Sequence, residues 1–171
     1  MRTKRLRPKI QENKKILNAT PNEFGGIQFK SLLEKSIYKS LIAMGITPAY
    51  EGETFTFWKG LKPTVPFYCR YKQRATKTQR GGWVLKRNTV ALQDMSYTPD
   101  FVFMYNGIKV LIEAKGFESE TFPIRKKLFR AYLETLNYPV VYAEIFTVKE
   151  LLAFMDILEK TQEEIKQCYN Q

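Results

Sequence analysis

Apolar residues recur at Leu33, Ile37, Leu41 and Met44, a spacing that predicts a helix from Ser31 to Met44, with Gly45 as its stop. The stretch Pro48–Trp58 then alternates as a strand does, and residues 64–72 and 83–87 read as two more strands. Between those two lies a polar, basic, glycine-ended segment, Gln73 to Gly82, read as a mobile loop. Tyr97–Phe103 and Ile108–Ala114 are two further apolar runs separated by Asn106-Gly107, the strongest short hairpin signal. A polar turn and Pro123 lead to a helix from Ile124 to Leu136, and Pro139–Phe146 reads as a buried strand. Thr147-Val148-Lys149-Glu150 has the form of a capping box, opening a last helix that runs to about Cys168. Residues 1–22 show little periodicity and read as a flexible arm, leaving residues 23–171 as one mixed α/β domain.

The hairpin makes a specific geometric claim. With Asn106 and Gly107 as the two loop residues, Tyr105 pairs with Ile108, and the same register sets Asp100 opposite Glu113. Directly paired side chains have Cβ atoms about 4.5–5.5 Å apart, and like charges there repel. Lys115 lies two residues beyond Glu113 and so shares its face, while Phe101, Phe103, Val110, Ile112 and Ala114 form an apolar opposite face. Two opposed carboxylates suit Mg²⁺, which takes oxygen ligands and keeps several waters. A purely structural cluster, with Lys115 neutralising both acids, is the other reading of the same residues.

Composition narrows the chemistry. The chain of 171 residues contains no histidine, which removes Ser-His-Asp and Cys-His nucleophile systems and histidine-ligated zinc. Cys69 and Cys168 stand far apart in no metal spacing and read as reduced thiols. With no apolar run long enough to span a bilayer and no apolar signal segment, a soluble cytoplasmic protein is expected. The net charge of +11 is the footprint of a polyanion binder, and it is concentrated in two blocks. Residues 1–20 hold seven lysines and arginines against the single acid Glu12, and residues 59–90 hold nine and no acid.

The pattern Pro99-Asp100, then Glu113-Ala114-Lys115 after an interval of twelve residues, resembles the signature of the PD-(D/E)xK nuclease superfamily. The order helix, strands, hairpin, helix, strand is similar to that superfamily's restriction-endonuclease-like αβββαβ core with a mixed sheet, here extended by a basic N-terminal arm and a C-terminal helix. The likeness covers roughly Phe29 to Phe146 and is nearest in look to small phage-encoded resolvases of the endonuclease-I type, which cut Holliday junctions. It implies a Mg²⁺-dependent endodeoxyribonuclease, with Mn²⁺ as an alternative ion, in which Asp100 and Glu113 hold metal and Lys115 orients or activates water. It also implies that Glu34 on the first helix completes the site and that the Ala114 carbonyl is a further ligand. Ser31-Leu32-Leu33-Glu34 is, however, itself a capping box with Glu34 at its third position. Glu51 is either an accessory acid or a strand-edge surface residue. Resolvases of this type act as homodimers on branched DNA; a restriction-like, recombination or transposon-end-cleaving nuclease is the alternative within the fold, and a non-catalytic basic DNA-binding module the alternative outside it.

For the nucleic acid, the expected contacts are Arg70, Lys72, Arg74, Lys77, Arg80, Lys86 and Arg87 in the 59–90 section. Phe67, Tyr68, Tyr71 and Trp83 are interleaved with them, as rings to stack on exposed bases or as core, with Phe67 and Trp83 the stronger core candidates. Arg125, Lys126, Lys127 and Arg130 open the helix after the motif, where cations oppose the macrodipole, so phosphate contact is expected there too.

Overall fold

A computed structural model describes residues 22–116 and 122–169. It opens on a small hairpin, β1 (Asn22–Phe24) and β2 (Ile27–Phe29), closed by Gly25 and Gly26 at φ of 60° and 79°. The arm read over residues 1–22 therefore meets ordered structure at Asn22, and residues 1–21 lie outside the described residues. Helix α1 (Leu32–Ala43) follows, with Ser31 as N-cap accepting from the Glu34 amide at 3.1 Å and Gly45 leaving it at φ 77°. Its buried face is Glu34, Ile37, Tyr38 and Leu41; Met44, expected on that stripe, is exposed.

The strand expected over Pro48–Trp58 is two strands in two different sheets, β3 (Ala49–Tyr50) and β4 (Phe55–Trp58). The break falls at Glu51, held at φ 47° with its amide bound to the Asp100 carbonyl at 2.8 Å. Beyond β4 come β5 (Phe67–Gln73) and β6 (Gly82–Asn88), which pair antiparallel as a ribbon of their own. The intervening loop is organised: the Thr76 amide donates to the Gln79 carbonyl at 3.0 Å, and the Gln79 amide to the Thr76 hydroxyl at 3.1 Å.

The strand expected over Tyr97–Phe103 is likewise broken, into β7 (Met95–Tyr97), which pairs with β4, and β8 (Phe101–Tyr105). Pro99 has no amide to donate and sits at the break. β8 turns through Asn106 and Gly107, at φ 48° and 85°, into β9 (Ile108–Ala114), with positive φ at both loop residues as a type I′ turn requires. The register is as the turn dictates, Phe101 opposite Ile112 and Tyr105 opposite Ile108. Helix α2 (Phe122–Leu133), which begins and ends earlier than the sequence pattern suggests, carries the chain to β10 (Val140–Ile145), parallel to β9. Helix α3 (Val148–Tyr169) closes the fold behind the expected cap: the Glu150 amide donates to the Thr147 hydroxyl at 3.2 Å and Glu150 accepts from the Phe146 amide at 2.8 Å.

The described residues form a mixed α/β fold with three helices and a four-stranded mixed sheet of order β10-β9-β8-β3. Alternation along β8 and β9 divides two cores. Phe101, Phe103, Val110 and Ile112 pack with Ile37 and Leu41 of α1 and Leu151 and Leu158 of α3. Val102 and Leu111, on the other face, pack with Phe129 and Leu133 of α2, and with Phe55 and Tyr97. Each of these fully buried side chains contributes roughly 1.5–3 kcal/mol by leaving water. No helix among the described residues is long and apolar enough to cross a membrane.

Candidate active site

The same alternation decides where the acids go. Glu113 shares its face with Leu111, so it sits at the end of the α2 core rather than behind α1. Asp100 is the residue immediately before β8, one step past the last registered pair, Phe101 and Ile112. There its carboxylate replaces a ladder partner: Asp100 Oδ2 accepts the Ala114 amide at 2.7 Å. Lys115 Nζ reaches Glu113 Oε1 at 2.5 Å and stands 3.4 Å from the centre of the Phe122 ring. Glu113 and Lys115 keep only 12% and 11% of their side-chain exposure, so this is a mostly desolvated ion pair held by a cation–π contact. Asp100, Glu113 and Lys115 line one cleft of about 770 Å³, together with Glu51, Tyr97 and Arg125.

Burial, and next the charge of Glu113, push the Asp100 carboxyl up from its ordinary value near 3.8 to about 7, with the Ala114 amide opposing. One lysine thus does not offset the two carboxylates. The Tyr97 hydroxyl meets that of Tyr142 at 2.9 Å, and Tyr142 reaches Glu144 Oε1 at 3.3 Å. Burial, with the charge of Glu113 also acting, raises the pKa of both tyrosines, which remain neutral. Glu144 is the parallel neighbour of Glu113 and is met by Lys126 Nζ at 2.9 Å. That pairing turns Lys126 toward the protein, whereas Arg125 lines the cleft and Lys127 and Arg130 are exposed on α2 outside its lining.

Glu34 lies on α1, across the sheet, and is buried. Its Oε2 accepts the Lys30 amide at 3.0 Å and the Tyr50 hydroxyl at 2.6 Å, and its Oε1 accepts the Ser31 hydroxyl at 2.8 Å. Its charge still acts on Asp100, raising that carboxyl's pKa, but the carboxylate itself is engaged by the cap and by β3. Glu51 lines the cleft and pairs with Lys30, whose pKa is raised by that bond.

Among the described residues, no three His, Cys, Asp or Glu side chains gather as a metal cage. A two-carboxylate site still fits Mg²⁺, which one or two carboxylates commonly hold while waters complete its shell. Asp100 supports that fit: a carboxyl whose charged form is disfavoured by burial and by a second acid is stabilised by added positive charge. Lys30, Tyr97 and Phe122 were not expected at the site from sequence. For Tyr97 a signal existed, since an aromatic three residues before Asp100 and across Pro99 falls on the wall beside it. No family model, no curated protein and no solved structure matches this chain.

The basic section behaves otherwise than a core strand pair. Phe67 and Trp83, expected in the core, are 59% and 56% exposed, because among the described residues no layer packs over the β5–β6 ribbon. Arg70, Lys72, Lys86 and Arg87 lie along the ribbon, and Arg74, Lys77 and Arg80 in its loop; all seven are exposed.

Proposed function

We propose that this chain is a Mg²⁺-dependent endodeoxyribonuclease with a restriction-endonuclease-like core. The observation that carries the reading is the convergence of Asp100, Glu113 and Lys115 in one cleft, where burial and the charge of Glu113 push the Asp100 carboxyl's pKa up to about 7. Asp100 and Glu113, with the Ala114 carbonyl, would hold the ion, Mn²⁺ being the alternative. Bound there, Mg²⁺ supplies neutralising charge at the attacked phosphate and acidifies water. Lys115, fixed between Glu113 and the Phe122 ring, offers its ammonium to a phosphate oxygen in the cleft. Arg125, on the rim, can bind the neighbouring phosphate. Tyr97, whose pKa the charge of Glu113 helps to raise, walls the site beside that carboxylate, and Glu34 acts through its charge and through Tyr50. The favoured substrate is branched DNA, cut by a homodimer; linear duplex is the alternative substrate within the fold.

The buried Glu113–Lys115 pair favours a second reading, a DNA-binding module whose acid–lysine cluster is structural. Nicking of supercoiled plasmid separates the two. With Mg²⁺ the wild-type protein should nick and with EDTA it should not, while Glu113→Gln should lose at least about a hundredfold in rate, the scale of losing a metal ligand or its support. Equal nicking by wild type and Glu113→Gln defeats the assignment. Four-way junctions and linear duplex run side by side would then rank the substrates.

A further inference from the structure

The ribbon β5–β6 carries seven residues per strand, which at about 3.3 Å per residue makes an arm of roughly 23 Å. Two-stranded hairpins without a packed face are marginal in water, so one this exposed and this rich in large side chains is suited to a partner. Its register separates two faces. Tyr68 lies opposite Arg87, Arg70 opposite Leu85, and Lys72 opposite Trp83, so these six side chains form one face, and every one of them is exposed. The other face carries Phe67, Cys69, Tyr71, Val84 and Lys86, and is partly covered at Cys69 and Val84. The guanidinium of Arg70 lies over the Trp83 ring at 4.8 Å, which fixes its plane and leaves its edge to donate.

The base of the ribbon joins the wall of the cleft. β7 supplies Met95 and Tyr97 to that wall and pairs with β4, and the Leu92 amide continues the join to the Leu61 carbonyl at 2.9 Å. Residues 59–90 contain nine cations and no acid, so the surface is complementary to a polyanion.

We propose that the ribbon enters the major groove of duplex DNA beside the cleft, with the Tyr68–Arg70–Lys72–Trp83–Leu85–Arg87 face toward the base edges. Two strands about 4.8 Å apart with their side chains fit a major groove about 12 Å wide, and not a minor groove of about 6 Å. Arg70 and Arg87 match the paired acceptors of guanine, and Trp83 and Leu85 offer apolar contact to thymine methyls. The loop cations Arg74, Lys77 and Arg80, at the far end, meet the phosphate backbone. This rests on the reading of the chain as a DNA enzyme but concerns grip rather than cleavage.

The test is fluorescence anisotropy with a short labelled duplex in EDTA, where no metal-dependent cutting occurs. Methyl green, which occupies the major groove, should displace the wild-type protein, and netropsin, which fills the minor groove, should not. The triple variant Arg70→Gln, Lys72→Gln, Arg87→Gln should bind at least about tenfold more weakly with an unchanged thermal melt. Lys160→Gln, on α3 and paired there with Asp156, should stay within about twofold of wild type. Displacement by netropsin alone, tighter binding of single-stranded DNA of the same sequence, or wild-type affinity in the triple variant each overturns the proposal. A protein that binds through the ribbon yet never nicks in Mg²⁺ would retire the nuclease reading and leave this one standing. Nicking with an unaffected triple variant would do the reverse.

Discussion

At the scale of single residues, Asp100 has the most to say about the protein, because its carboxyl is buried beside another. Its pKa in the fold, about 7, lies above its ordinary value of 3.8, so the folded state binds this proton more tightly than the unfolded chain. The stability this group contributes is therefore complete below about pH 4 and is lost as pH rises through 7. The metal-free protein should melt higher at pH 5 than at pH 8 as far as this group is concerned. Asp100→Asn should flatten that slope and melt at or above wild type at pH 8, since an amide oxygen can still accept from Ala114. Each 1 kcal/mol of relieved repulsion is worth about 2–4 °C in a domain of this size. Mg²⁺ should raise the wild-type melt at pH 8 and not that of the variant. A thermal melt of both proteins across pH, with and without the ion, checks all of this; a variant that melts well below wild type at pH 8 would make Asp100 a structural partner of Lys115 instead.

At the scale of elements, what the sequence made legible was whatever rests on local chemistry. Asn106-Gly107 sets the β8–β9 register without help from the rest of the chain, and the two acids follow from it. Ser31 and Thr147 announce α1 and α3 by side-chain caps that need only their own first turn. What stayed hidden depends on partners distant in sequence. The apparent strand 48–58 breaks at Glu51, where the carbonyl of Asp100, just ahead of β8, takes its amide. Pro99 could have flagged the second break, and Gly25-Gly26 the opening hairpin, but the apolar runs around those glycines are too short to stand out. The cleft's composition was half legible for the same reason: Asp100, Glu113 and Lys115 come from one hairpin, whereas Lys30, Tyr97 and Phe122 arrive through the packing of separate elements. The root of the ribbon offers a sharper test of an element. A Cβ on Gly60 would stand 2.2 Å from the Leu92 carbonyl oxygen, 2.7 Å from the Gln93 carbonyl carbon and 2.9 Å from the Asp94 amide nitrogen, all of them backbone. Gly60→Ala should therefore swing the ribbon away from the cleft wall and weaken duplex binding by roughly tenfold, about 1.4 kcal/mol. Anisotropy in EDTA reads that loss, and an unchanged affinity would mean the ribbon's angle to the cleft is immaterial.

At the scale of the whole molecule, charge and architecture divide the labour. The cations of residues 59–90 lie on and beside the β5–β6 ribbon, outside the packed layers, while the acids at the cleft sit where two layers meet, so attraction of a polyanion and the repulsion between Asp100 and Glu113 are kept apart in space. The β8–β9 hairpin has a consequence in time as well. Its pairs are local in the chain, and such hairpins close in about 1–10 μs, whereas β10 joins β9 only after α2 has carried the chain across the sheet. The two carboxylates thus meet early on the folding path, before Phe122 and the rest of α2 enclose them. Their repulsion is felt on the way to the transition state and not only in the native molecule, so the chain should refold more slowly as Asp100 ionises. Stopped-flow refolding should be faster at pH 5 than at pH 8, and Asp100→Asn should lose most of that difference while its unfolding rate changes little. Should the variant alter unfolding alone, the hairpin would be a late arrival, and the acids would be brought together by the helices that cover them.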